Sequence, residues 1–195
     1  MKNDREYRSM ELRIDSESPE YRVEGYASTF DTYVLMTVDG VDYSERIEPT
    51  AFDEADLSDV VFRIDHEGPV YARTSAGTVT LDIDEHGLHN ITDLSRTERS
   101  RSIFEEIAAG NYPKMSFAFT VEDDEFDKKT HTRIIHRIAK VFDISPVSFP
   151  ANPNTVLSVS TRDYFDGVIE AERAERLEAE RRERQKQRIK ILMEV

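Results

Sequence analysis

The chain has 195 residues, of which 38% are hydrophobic and 34% charged, with a net charge of −14 and no cysteine. That length suits one domain with an appendage, and the acidity argues against a nucleic-acid binder held by phosphate contacts. The missing cysteine excludes disulfides, thiol catalysis and cysteine-ligated metal, and no apolar run suggests a signal peptide or the roughly 20-residue span of a membrane helix.

The N-terminal part reads as β structure. Glu6 to Ile14 and Tyr21 to Phe30 are strand-like, separated by the break Asp15 to Pro19. Asp31 to Ser44 reads as an irregular connection, and Glu48 to Leu57 as a short helix. Val60 to Asp65 is a short apolar run, and Gly68-Pro69 is expected to end regular structure after it. His66 thus falls where a strand opens into a loop. Catalytic side chains often sit there, and so do solvated histidines.

Gly77 to Asp84 alternates cleanly between apolar and polar residues. With Leu88 to Leu94 and the turn Asp84 to Gly87 it predicts a hairpin. Ser95 and Glu98 have the spacing of a capping box. Ile103, Phe104, Ile107 and Ala108 then form the apolar stripe of a helix closing at Gly110.

Pro113 interrupts the chain, and a strand begins at Lys114. Phe117, Phe119 and Val121 fall on one face of it, and Ser116, Ala118 and Thr120 on the other. Ser116 is therefore expected on a rigid backbone with its hydroxyl toward an accessible surface, which is what a nucleophile needs. Glu122 to Glu125 reads as an acidic turn. A strand from Thr132 to about Asp143 follows, with His136 on its Ile134/Ile138 face. Pro146, Pro150 and Pro153 then predict extended chain outside any central ladder position.

From Arg162 to Val195 basic and acidic residues cancel, so the net charge belongs wholly to the first part. This shift sets the expected boundary between a β domain, 1–161, and a charged helical tail, 162–195. Glu170 to Lys190 has neither proline nor glycine. Glu172–Arg176, Glu178–Arg182 and Glu180–Arg184 are pairs in the favourable i,i+4 order. The expected helix is polar almost all round, with apolar residues concentrated at Ile189 to Met193.

No glycine-rich phosphate loop, HExxH or GxSxG motif occurs, and the histidines lack metal-ligand spacing, so no cofactor or metal is expected. What remains is a serine on a strand, a histidine at a strand end and an acid before a proline-rich stretch. Such residues are generic, and a triad is defined by geometry. If Ser116 were not the nucleophile, Ser145 and Ser148 would be the next hydroxyls to consider.

Seven collinear segments carry a resemblance. They are Glu24 to Ser28, Glu45 to Ile47, Asp65-His66, Val70 to Arg73, Asp84 to Leu88, Met115 to Phe119, and Asp143 to Pro153. Together they resemble the prohead maturation proteases of tailed bacteriophages over roughly residues 5 to 160. That family is distantly similar to herpesvirus capsid-assembly proteases. The resemblance implies a mainly β, α+β fold: a compact β-barrel ringed by helices, here with a charged C-terminal helix.

The resemblance also implies Ser116 as nucleophile and His66 as general base. The family's acid before the Ser-x-Val-x-x-Pro-Ala segment points to Asp143 as third member. The viral relatives use a second histidine, which makes His136 the competitor. Simple alternation places Asp143 and His136 on opposite faces, unless a bulge intervenes. Ala118 departs from the family, which more often has glycine there. The implied activity is a serine endopeptidase that cleaves major capsid protein or scaffold chains, and itself, within assembling proheads in the host cytoplasm. A homo-oligomer is compatible with this; nucleic acid and membrane partners are not expected. The non-enzyme alternative is a capsid-assembly scaffold or binding barrel without catalysis.

Overall fold

The computed structural model describes residues 5–11, 21–148 and 159–193. The strands are β1 (Glu6–Glu11), β2 (Arg22–Thr29), β3 (Tyr33–Val38), β4 (Val41–Ile47), β5 (Val61–Ile64), β6 (Glu67–Arg73), β7 (Val79–Ile83), β8 (Gly87–Asp93), β9 (Lys114–Asp127) and β10 (Thr132–Val147). Helix α1 spans Glu98–Ala108 and α2 spans Val159–Met193, and two short 3₁₀ turns occupy Pro49–Phe52 and Thr74–Ala76. The chain divides into two compact units, Met1–Ser158 and Val159–Val195. No helix among the described residues is long and apolar enough to cross a membrane.

The first unit holds two sheets. The larger runs β1-β9-β10-β4-β3, and β10 also pairs with β5, which pairs with β6. β10 is long enough to take two parallel partners along one edge: β4 beside Thr132 to Ile135, and β5 beside Asp143 and Ile144. The smaller sheet is β2-β8-β7. β2 packs against β1 and β9, so the sheets enclose a core that includes Val23, Leu88, Phe62, Phe117 and Ile144.

The fold is mainly β with helices, as expected, but among the described residues the sheets do not close into a barrel. Among the described residues no pairing joins β1 to β3 or β6, the ends of the larger sheet.

The expected hairpin is present as β7–β8, in register from Val79 opposite Thr92 to Ile83 opposite Leu88. At Gly87 a Cβ would lie 1.9 Å from the Ser28 carbonyl oxygen, so only glycine allows β2 and β8 to close there. The segment read as irregular, Asp31 to Ser44, is instead the β3–β4 hairpin. Its turn is Asp39-Gly40, both at positive φ, the geometry that tight two-residue hairpins demand.

Four other boundaries differ. β9 runs through the acidic Glu122 to Glu125 because Asp123, Asp124 and Glu125 pair with β10. β6 begins before Gly68-Pro69 rather than ending there. β10 continues through Pro146, opposite Met115, where a missing N–H is tolerated near a strand end. The expected Glu48 to Leu57 helix shrinks to the Pro49–Phe52 turn.

The cap of α1 is Thr97, whose hydroxyl accepts from the Ser100 N–H, and not Ser95. Phe104 and Ile107 of its expected stripe are buried in the core. In the second unit, α2 contains the whole of the expected Glu170 to Lys190 helix. The expected i,i+4 pairs Glu178–Arg182 and Glu180–Arg184 form. The expected strand extension Leu12 to Ile14 and the segment from Phe149 to Pro153 lie outside the described residues.

Candidate active site

β9 supplies the first candidate side chain. It is the second strand of the larger sheet, held between β1 and β10, and Ser116 is its third residue. The ladder places Ser116 opposite Ser9 on one side and Ser145 on the other. The alternation expected for this strand was an apolar inner face and an accessible outer one. Instead both faces are covered between Met115 and Phe119, and Ser116 is only 1% exposed. The covering groups include the imidazole that the hydroxyl meets.

That imidazole belongs to His66. Asp65 and His66 form the two-residue turn between β5 and β6, and both have positive φ, 49° and 60°. Left-handed backbone is uncommon for a non-glycine residue, and Asp and His tolerate it better than most. The turn is held from outside. The Asp65 N–H donates to the Pro146 carbonyl at 3.0 Å, and its carboxylate accepts from the Ser148 N–H at 2.8 Å. Tyr7, from β1, meets the imidazole edge-on with ring centroids 4.5 Å apart. The His66 side chain keeps 15% exposure, so it forms the open side of the cluster.

Asp143 comes from β10. The β9–β10 ladder is irregular, with a register shift between Val141 and Asp143 among others. With register shifts at four places between Ile135 and Asp143, simple alternation does not carry from His136 to Asp143. Asp143 ends up opposite Ala118 and 2% exposed.

The three side chains form one line. His66 Nε2 lies 2.7 Å from Ser116 Oγ, and His66 Nδ1 lies 2.6 Å from Asp143 Oδ1. An ionised carboxylate can only accept, so Nδ1 carries the proton of a neutral ring. Nε2 is then the acceptor, and the Ser116 hydroxyl donates to it. Asp143 Oδ1 also accepts from the Ser145 hydroxyl at 2.7 Å.

His136 sits elsewhere along β10. Its Nδ1 is 3.0 Å from Glu48 Oε2 and its Nε2 3.6 Å from Glu125 Oε1. The Glu48 hydrogen bond raises its pKa, with further help from the Glu125 and Asp123 charges. Sequence reasoning missed Tyr7, gave Asp65 no role beyond its place beside His66, and offered Ser145 only as an alternative nucleophile. Ser145 alone left a signal, because residues i and i+2 of a strand share a face.

A second buried cluster lies in the same sheet. Arg8 Nε bonds Glu45 Oε1 at 2.5 Å, and Arg8 also reaches Glu6 at 2.7 Å. Arg133 bonds Glu6 at 2.7 Å and Asp124 at 2.8 Å, and the Tyr33 hydroxyl donates to Glu45 at 2.6 Å. Burial alone would raise the Glu6 carboxyl, but Arg8 and Arg133 outweigh it and hold the pKa below its ordinary value. Arg8 and Arg133 stay firmly charged, since their carboxylates overcome the burial penalty.

A family model described as "Caudovirus prohead serine protease" matches residues 8–167 of the chain. No curated protein matches significantly, and no solved structure does.

Proposed function

The chain belongs to the caudovirus prohead serine protease family, and we propose that it is an active endopeptidase whose nucleophile is Ser116. One observation carries the reading: the continuous hydrogen-bonded line Ser116–His66–Asp143. A serine hydroxyl is a weak nucleophile until a positioned base removes its proton. Here Nε2 of a neutral His66 takes the Ser116 proton as Oγ attacks a peptide carbonyl. The resulting imidazolium then protonates the leaving amine, and water releases the acyl-enzyme. Asp143 fixes the tautomer with Nε2 free to accept, and its charge stabilises the imidazolium. Because the base must be neutral, cleavage falls on acidification.

Family membership supports capsid proteins as the substrate class and the assembling prohead, in the host cytoplasm, as the place of action. Within that class the proposed substrates are the major capsid protein, scaffold chains and the protease itself. The 1–161 segment is proposed to carry the chemistry, and the charged tail to be a separate element. The family match reaches residue 167, past that boundary.

A fluorophosphonate probe tests the proposal. It is expected to label the purified chain on Ser116, with labelling abolished by His66→Ala. The same protein is expected to shorten capsid chains from the same phage. A label mapped to another residue, or capsid chains left intact by folded protein, would overturn the reading.

A further inference from the structure

Ser145 is fully buried, and its hydroxyl is spent on a single carboxylate oxygen. Oγ lies 2.7 Å from Asp143 Oδ1, the same oxygen that lies 2.6 Å from His66 Nδ1. The backbone favours this contact. Asp143 and Ser145 are two apart in β10, so their side chains leave the same face of the strand. Ser145 is also directly opposite Ser116 in the β9–β10 ladder, where facing Cβ atoms stand about 5 Å apart.

We propose that Ser145 is a positioning residue that holds the Asp143 carboxylate at the angle from which it grips His66. The proposal rests on the assignment of Ser116, His66 and Asp143 made above. A carboxylate on a strand can rotate about its last torsion, which is a broad and soft one. A lone imidazole N–H would leave Asp143 free to swing with the ring. A second donor on the same oxygen, anchored to the same strand, removes that freedom before substrate arrives. Such preorganisation is what a catalytic group needs from its support. The hydroxyl also shares the negative charge of Oδ1, so it tempers the pull of Asp143 on the imidazole proton.

Two consequences follow for Ser145→Ala. The ring is held less accurately, so kcat falls while KM, set by contacts elsewhere, stays put. The carboxylate charge is then offered to His66 alone, which favours imidazolium, so the acid limb of the pH–rate profile moves to higher pH. A hydrogen bond to a charged group corresponds to a roughly 10- to 100-fold change in rate. Ser145→Cys keeps the volume with a weaker donor and falls between alanine and serine.

The decisive measurement is a cycle with Asp143→Ala, all variants being checked for folding by thermal unfolding. In the unmutated background Ser145→Ala is expected to lower kcat as stated. In the Asp143→Ala background it is expected to change nothing, because Ser145 would have no carboxylate left to hold. Equal losses in both backgrounds, or a loss that tracks only the fall in Tm, would overturn the proposal. A second readout does not need activity. The low-field proton resonance of the His66 Nδ1–H, identified by its loss in His66→Ala, is expected to shift in Ser145→Ala. An unchanged resonance would likewise overturn the proposal. If the unmutated protein cleaved nothing, the protease reading would fail by itself, while the proton resonance would still report on Ser145.

Discussion

The Asp65 carboxylate accepts hydrogen bonds from both the backbone N–H and the hydroxyl of Ser148, at 2.8 and 3.0 Å. With the Asp65 N–H on Pro146, this ties the turn that carries His66 to the end of the strand that carries Asp143. The spacing of base and acid is thus set twice, by the side chains and by the backbone beneath them. Asp65→Ala is expected to loosen it and to add strain at a positive φ. Turnover should fall about tenfold and stability by about 1 kcal/mol. Asp65→Asn, which tolerates the same backbone and keeps an acceptor, should fall less. Equal turnover in all three proteins would show that the tie does not matter to the base.

Ser116→Ala should leave a folded protein whose cleavage of capsid chains drops to background, a loss of roughly a million-fold where it can be measured. The substitution removes one buried hydroxyl and leaves β9 paired on both sides. Comparable cleavage by the variant would move the nucleophile to another residue.

Asp143 and His136 are separated by their partners. Asp143→Asn keeps the shape but can present an N–H to Nδ1, which selects the wrong tautomer and should cost 1,000-fold or more. His136→Gln breaks contacts to Glu48 and Glu125, and should change single-turnover cleavage little. The reverse ranking, with both variants folded, would favour a Ser-His-His arrangement.

His136 should instead show itself in stability. Its pKa is raised in the folded chain by the Glu48 hydrogen bond. A raised folded-state value means the stabilisation is fully present below the unfolded value of about 6.5 and lost as pH rises through the folded one. His136→Gln should therefore lower Tm in mildly acidic buffer and leave it unchanged in alkaline buffer. The same loss at both pH values would mean the residue acts by packing.

Glu45 is fully buried and holds Arg8, Arg133 and Tyr33. Breaking such a network from one side leaves charge buried without its partner. Glu45→Ala is expected to cost about 3–5 kcal/mol in urea unfolding. Because Arg8 lies in β1, amide exchange should quicken first in the β1–β9 ladder. A loss below about 1 kcal/mol would mean that the guanidinium groups find other partners or water.

The strongest local patterns were the ones legible in the sequence. The alternation in β7 and β8 and the apolar stripe of α1 act over a few residues and survive any tertiary context. The Asp39-Gly40 turn is equally local and equally legible, since Asp-Gly between apolar residues is a strong hairpin signal. What the sequence could not show depended on pairing at a distance. Glu122 to Glu125 look like a turn until β10 lies beside them. The exposed face expected for Ser116 treats β9 as a half-buried strand, whereas both faces are covered between Met115 and Phe119. Ser116, His66 and Asp143 were named by resemblance. Their approach depends on the register of the β9–β10 ladder, shifted at four places that no periodicity could locate.

The pairing of β1 with β9 sets Glu6 opposite Phe119, joining one of the first described segments to one that follows most of the sheet. Contacts this far apart in sequence form late and slowly. During synthesis β1 waits without its partner, and His66 waits in its turn for an aspartate not yet added to the chain. On the proposed reading, a ribosome-bound fragment ending before β10 has a serine and a histidine but no relay between them. The pairing of β10 with β9 and β5 is then the folding step that completes the proposed line.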